Sequence, residues 1–135
     1  MQPVALIVSD SEVLARFILY KRYIRNDGTL KPDAYIPHPY PDLSVTRHIG
    51  LVEGTIWAIG EEIATQQSKS LYGRGDVSAS TFRSLRLRVE AAPVPRNPNH
   101  ANVTGWPHDK PAQKMRAQEI SAAATFVSNP KRILL

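Results

Sequence analysis

The stretch KPDAYIPHPYPD, Lys31 to Asp42, holds four prolines in twelve residues. Each proline fixes its own φ, removes a backbone donor and pushes the residue before it toward extended conformations. The stretch therefore excludes a helix, and it excludes a central strand along its whole length. It reads as an extended arm in which Ala34–Ile36 pairs at a sheet edge. A second group of prolines, from Pro93 to Pro111, surrounds RNPNHANVTGWPHDKP. Regular structure must fit before, between and after these two blocks.

Before the arm, Pro3–Val8 reads as a short buried extended segment. Ser9 and Glu12 have the spacing of a capping box, in which each side chain satisfies the other's free amide. A helix over about Asp10 to Tyr23 is expected to follow, with Val13, Phe17, Tyr20 and Ile24 at helical spacing and RNDGT as its stop.

After the arm, Leu43 to Ile49 alternates as a strand. The alternation puts Arg47 with the apolar set of Leu43, Val45 and Ile49. Leu51–Gln67 is the clearest helix, with Val52, Ile56, Ile59 and Ile63 on one side and two glycines that permit close packing. SKSLYGRGD reads as a loop. The segment around Leu85, Leu87, Val89 and Ala91 reads as a strand, with Arg86, Arg88 and Glu90 on its other face. HANVTGW is a short strand. Pro111 to Val127 reads as a helix with proline in its first turn, and its inner face is expected to carry Ala112, Met115, Ala122 and Phe126, with Ile120, Ala123 and Val127 adjoining.

Strands and helices do not alternate regularly, which disfavours a doubly wound parallel sheet. The expectation is an α+β fold: one small mixed or antiparallel sheet of four to five short strands with about three helices, in a single domain over 1–135. A chain of 135 residues with 42% hydrophobic residues is large enough to bury one core. It has no cysteine, which excludes disulfides, thiolate metal sites and a cysteine nucleophile. The opening MQPVALIVSDSE lacks a basic start and a long apolar run, so neither a signal peptide nor a membrane span is expected, and the chain reads as soluble and cytoplasmic.

Chemistry is signalled more weakly than fold. The net charge is +5 and the pI about 9.7, which favours an anionic partner, nucleic acid or nucleotide. Candidate phosphate contacts are Arg47, Arg74, Arg83, Arg86 and Arg88, with Trp106 as a stacking surface. Lys21, Arg22 and Arg25, near the end of the first expected helix, are further candidates to track phosphates, but they are better explained as complements to its dipole. Gly73 and Gly75 flank Arg74 as in an anion nest, and a plain glycine turn accounts for them too. His48 and His100 are candidate catalytic groups, with His108 a third histidine that would meet them if the SVTRHI and HANVTGW strands are neighbours, because histidine transfers protons near neutral pH. His100 sits where a proline-rich loop turns into a strand. No HxH or HExxH spacing points to a metal, and no glycine-rich phosphate motif or GxSxG elbow is present; no cofactor is expected.

LSVTRHIGL and NPNHANVTGWPHDKPAQK resemble stretches in a set of small bacterial proteins of no assigned function. The resemblance spans Leu43 to Lys114. It implies a bacterial, cytosolic origin and transfers no catalytic residue.

Three functions are compatible with these features. The first is a binding module for nucleic acid or a nucleotide. The second is a small histidine-dependent enzyme acting on a phosphodiester, with His100 beside Arg47 and His48 in one cleft. The third is an accessory subunit that docks a protein partner through the PHPYP arm. Arg47 is the hinge of the second. A buried arginine needs an acceptor, and Asp42, Asp76 and Asp109 are the acids expected to supply it unless a ligand does.

Overall fold

The computed structural model describes residues 5–38 and 41–133. The expected Pro3–Val8 segment lies partly outside those residues, as do Pro39 and Tyr40 of the proline arm and the end of the C-terminal tail.

The fold is α+β, built on one antiparallel sheet. The strands are β1 (Val13–Ile18), β2 (Leu43–Arg47), β3 (Gly73–Ser78), β4 (Arg88–Ala91), β5 (His100–Thr104) and β6 (Thr125–Ser128), in the order β4-β5-β2-β1-β3-β6. Six strands exceed the four or five expected. The helices are α1 (Glu53–Gln66), α2 (Ala79–Ser84), α3 (Lys110–Ala123) and the single turn α4 (Pro130–Ile133), with 3₁₀ turns at Lys21–Tyr23 and Pro32–Tyr35.

Register assigns the two faces, because successive side chains alternate across a sheet. Leu14 stands opposite Arg47 and Val77, Val45 opposite Ala101, and Val103 opposite Val89. Those side chains share the core face, over which Tyr35, Phe82, Trp106, Ala117 and Ile120 close a single apolar cluster. The second face carries Ala15, Phe17, Arg74, Asp76, Thr46 and His100. Helix α1 covers part of it: a methyl at Gly60 would come 2.6 Å from the Phe17 ring, so the bare glycine is what lets helix and strand approach.

Several sequence expectations are corrected. Asp10 to Tyr23 is not a helix. The capping box does form, with the Ser9 amide donating to Glu12 Oε2 at 2.9 Å and the Glu12 amide to the Ser9 carbonyl at 3.1 Å. It closes a turn that feeds a strand. VLARFI also alternates with period two, and pairing on both sides with β2 and β3 outweighs the local helical pattern. The Pro32–Tyr35 segment is a 3₁₀ turn with proline in its first positions, where the missing amide costs nothing. YGRGD is not a loop, since Gly73 to Asp76 is the interior of β3. Its glycines leave room for other groups; a methyl at Gly75 would strike the Tyr35 hydroxyl.

Arg86 and Arg88 do not share a strand face. The strand starts at Arg88, and Arg86 sits in the turn after α2 at φ +64°. Helix α3 stops at Ala123, and TFV continues as β6. Its buried positions are Ala117, Ile120 and Ser121, whereas Met115 is exposed. Asp109 caps this helix, accepting the Ala112 amide at 3.1 Å. No described helix is long and apolar enough to cross a membrane.

Candidate functional site

Arg47 lies on the core face and is 1% exposed. Its Nε donates to Glu12 Oε1 at 2.7 Å and its Nη2 to Glu12 Oε2 at 2.8 Å, while Nη1 reaches the Ala5 carbonyl. The required acceptor is therefore a carboxylate, and it comes from Glu12 rather than Asp42, Asp76 or Asp109. The pair is bidentate and buried. Hydrogen bonding from Arg47 is the main influence holding the Glu12 carboxyl below the usual glutamate range, against the opposing effect of burial.

Arg74 is held as firmly, on the opposite face. It donates to Glu53 through both Nη atoms at 2.8–2.9 Å and to Asp76 through Nε at 3.0 Å, and it stacks 4.7 Å from the Trp57 ring centre. Asp76 also meets His48 Nε2 at 3.0 Å. Burial pushes the Asp76 carboxyl up, but the hydrogen bonds from His48 and Arg74 outweigh it and leave the group below its usual value. His48 thus belongs to a Glu53–Arg74–Asp76–His48 chain running from the start of α1 to the end of β2.

The other predicted residues scatter. Arg83 ties down the N-terminal segment, donating to Asp10 and to the Val8 carbonyl, both at 2.6 Å. Arg88 meets Glu90 at 3.4 Å in solvent. Arg86 is exposed. Trp106 is part of the apolar cluster, and its indole N–H is taken by the Val103 carbonyl at 3.0 Å. His108 is exposed in the loop before α3. The loop that precedes β5 is largely architectural: Asn99 donates to the Arg47 and Ile49 carbonyls, and Asn97 to the buried Thr46 hydroxyl.

His100 stands opposite Thr46 and so faces away from Arg47. It lines a cleft of about 920 Å³ that neither Arg47 nor His48 reaches. The cleft follows from the pairing of β1. That strand pairs with β3 over six positions but with β2 only at Leu14–Arg47 and Ala15–Thr46. Beyond them β1 and β2 part, and the opening continues past the Pro32–Tyr35 turn.

Arg16 bridges the gap. Its Nε donates to the Ala34 carbonyl at 2.9 Å and its Nη1 to the Ser44 carbonyl at 3.1 Å. Among the described residues no carboxylate pairs with it. Burial draws its pKa below the usual arginine range, yet a guanidinium stays charged in proteins. Arg22 and Lys110 add charge to the cleft wall, against Asp33 and Asp42, and His38 lines it as well. At one side Tyr20 and Tyr23 stand 5.1 Å apart, with Arg22 over both rings at 4.3 and 5.3 Å and Lys69 over Tyr20 at 4.6 Å.

Sequence reading missed Arg16 and Lys110, and it set Arg22 aside as a complement to a helix dipole. The signal for Arg16 was the one noticed at Arg47, an arginine in an apolar alternation (Leu14, Arg16, Ile18). It was hidden by reading the segment as helix. Among the described residues no three acids or histidines gather closely enough to hold a metal ion. Compared with known protein families, curated proteins and solved structures, the chain matches none of them.

Proposed function

We propose that this protein is a binding module for an anionic ligand, a nucleic acid or a nucleotide, and that the ligand seats in the cleft between β1 and β2. The observation that carries the reading is Arg16: a half-buried cation fixed by two carbonyls, paired with no carboxylate among the described residues, in a cleft that also holds Arg22 and Lys110 beside Asp33 and Asp42. Carbonyls orient a guanidinium without neutralising it, so its remaining donors suit a phosphate. The cleft takes over the role that the sequence assigned to Arg47, Arg74, Arg83 and Arg88, each of which has a protein carboxylate. Arg22, lying over the Tyr20 and Tyr23 rings, supports the reading as a second cation held at the cleft wall.

The test is equilibrium binding of labelled single-stranded oligonucleotides and of mononucleotides at low salt, by anisotropy. Arg16→Gln is expected to weaken binding about tenfold or more, the loss of a charge-assisted contact. Arg88→Gln should change it less than twofold. Saturable binding that is indifferent to Arg16 would refute the placement, and no binding to any of these ligands would refute the function.

A further inference from the structure

The cations of this chain are held in two ways. Arg47, Arg74, Arg83, Arg88 and Arg96 each meet a carboxylate. At the end of the sheet where β1 finishes and β3 begins, tyrosine rings take that place. Arg22 lies 4.3 Å and Lys69 4.6 Å from the centre of the Tyr20 ring. Arg132 lies 4.3 Å from the centre of the Tyr72 ring, and its Nε donates to the Leu71 carbonyl at 2.9 Å. The two stacks adjoin, because the Tyr72 amide donates at 2.9 Å to the carbonyl of Ile18, two residues before Tyr20. Among the described residues none of these three cations has a carboxylate partner. Glu61, an acid that reaches this end, accepts from Asn129 Nδ2 at 2.9 Å instead. A ring or a carbonyl fixes a cation in position and leaves its charge intact. Arg22 and Lys69 are exposed, so that charge faces solvent. The surface is continuous with the cleft, whose lining includes Tyr20 and Arg22.

The chemistry of this surface selects among polyanions. A protein interface is built around an apolar centre, and an interfacial helix holds a membrane by sinking apolar side chains into it. The large apolar side chains exposed among the described residues lie outside 19–23, 67–72 and 129–132, the segments that build this surface. A nucleic-acid backbone needs no apolar contact, because its phosphates bind positioned cations directly. Tyr20 already carries two cations, so a ligand meets charge there rather than an open ring. Arg16, half-buried between the parted strands, is a seat for one phosphate chain rather than for a duplex.

We infer that the ligand is a single-stranded nucleic acid, whose backbone runs from Arg16 in the cleft past Arg22 and Lys69 to Arg132 and whose bases are left unread. The inference rests on the anion-binding reading of the cleft and extends it from a nucleotide to a polymer.

The experiment measures anisotropy of labelled oligodeoxythymidine and oligodeoxyadenosine strands of increasing length with the full chain. Deoxythymidine monophosphate serves as competitor, and phosphatidylserine vesicles form a parallel arm. Long strands should bind about tenfold or more tighter than the monophosphate, and the two sequences should agree within about threefold. Lys69→Gln changes an exposed side chain. Arg132→Gln also frees the Leu71 carbonyl, so its melting temperature is read alongside, and Lys69→Gln decides alone if that variant fails to fold. Each should weaken the long strand about threefold or more and leave the monophosphate within about twofold. The double variant should flatten the slope of log affinity against log salt by about 1.4, from two contacts at about 0.7 each. Arg16→Gln should weaken both ligands. A long strand that binds no tighter than the monophosphate, or that is indifferent to Lys69→Gln, would overturn the polymer path and leave the cleft reading standing. Vesicles bound more tightly than the strands would overturn it as well. Binding of neither the strands nor the monophosphate would overturn both readings together.

Discussion

Glu12→Gln tests whether Arg47 holds the fold together. The substitution keeps the shape of the side chain and removes its charge. Arg47 is then left 1% exposed with neutral acceptors only, and the new amide nitrogen is a donor facing donors. Removing one partner of a buried ion pair costs roughly 3–5 kcal/mol. An unfolding entropy of roughly 2.1 cal/mol/K per residue over 135 residues gives about 0.28 kcal/mol/K. The expected fall in Tm is therefore roughly 10–18 °C, read by thermal melting and urea unfolding at neutral pH. The double variant Glu12→Gln with Arg47→Met should recover most of the loss, since an apolar replacement removes the stranded charge. The sign with pH follows from the carboxyl being depressed below 4.5. The pair's stabilisation is complete above the unfolded value and is lost as pH falls from there through the depressed one. The gap between wild type and Glu12→Gln should shrink in that acid window. A cost below about 1 kcal/mol, the worth of an exposed pair, would refute the reasoning.

Further outcomes follow from other contacts. Arg74→Met should destabilise by about 2–4 kcal/mol and flatten the acid limb of the stability profile, because Asp76 loses a hydrogen bond that lowers its pKa and so gives up less stability as pH falls; an unchanged acid limb would count against the network. Gly75→Ala, which meets the Tyr35 hydroxyl, should cost about 1–3 kcal/mol by overpacking, measured by urea unfolding. Trp106→Ala should cost about 3–5 kcal/mol as a core truncation while leaving ligand affinity near normal in the folded fraction. Three contacts, from Arg16, Arg22 and Lys110, should give a slope of log affinity against log salt of about −2 for a single strand; a slope near zero would remove the phosphate contacts.

The α+β class, β2, α1, β5 and most of α3 were legible because each carries a clear period and ends on turn chemistry. β1 was not. VLARFI fits both periods over six residues, a capping box precedes it, and only its neighbours β2 and β3 decide between them. β3 was read as a loop because its glycines look like turn residues. Their purpose is to make room for Tyr35 and Phe126, which no local pattern encodes. In α3 the many alanines give little contrast between faces, so the buried stripe was misphased. The site was half legible. His100 was singled out, and the conflict at Arg47 correctly demanded an acceptor. Glu12, 35 residues away, could not be foreseen once its segment was taken as helix, and the same error concealed Arg16.

The central claim is that Arg16, and not Arg47 or Arg74, receives the anion. Arginine Nε–H resonances report it directly when inorganic phosphate and then a single-stranded oligonucleotide are titrated into the labelled protein. The account predicts saturable shifts at Arg16 Nε and at the His100 ring, with Arg47 and Arg74 stationary in their ion pairs. Saturable shifts at Arg47 or Arg74 with Arg16 unmoved would contradict it.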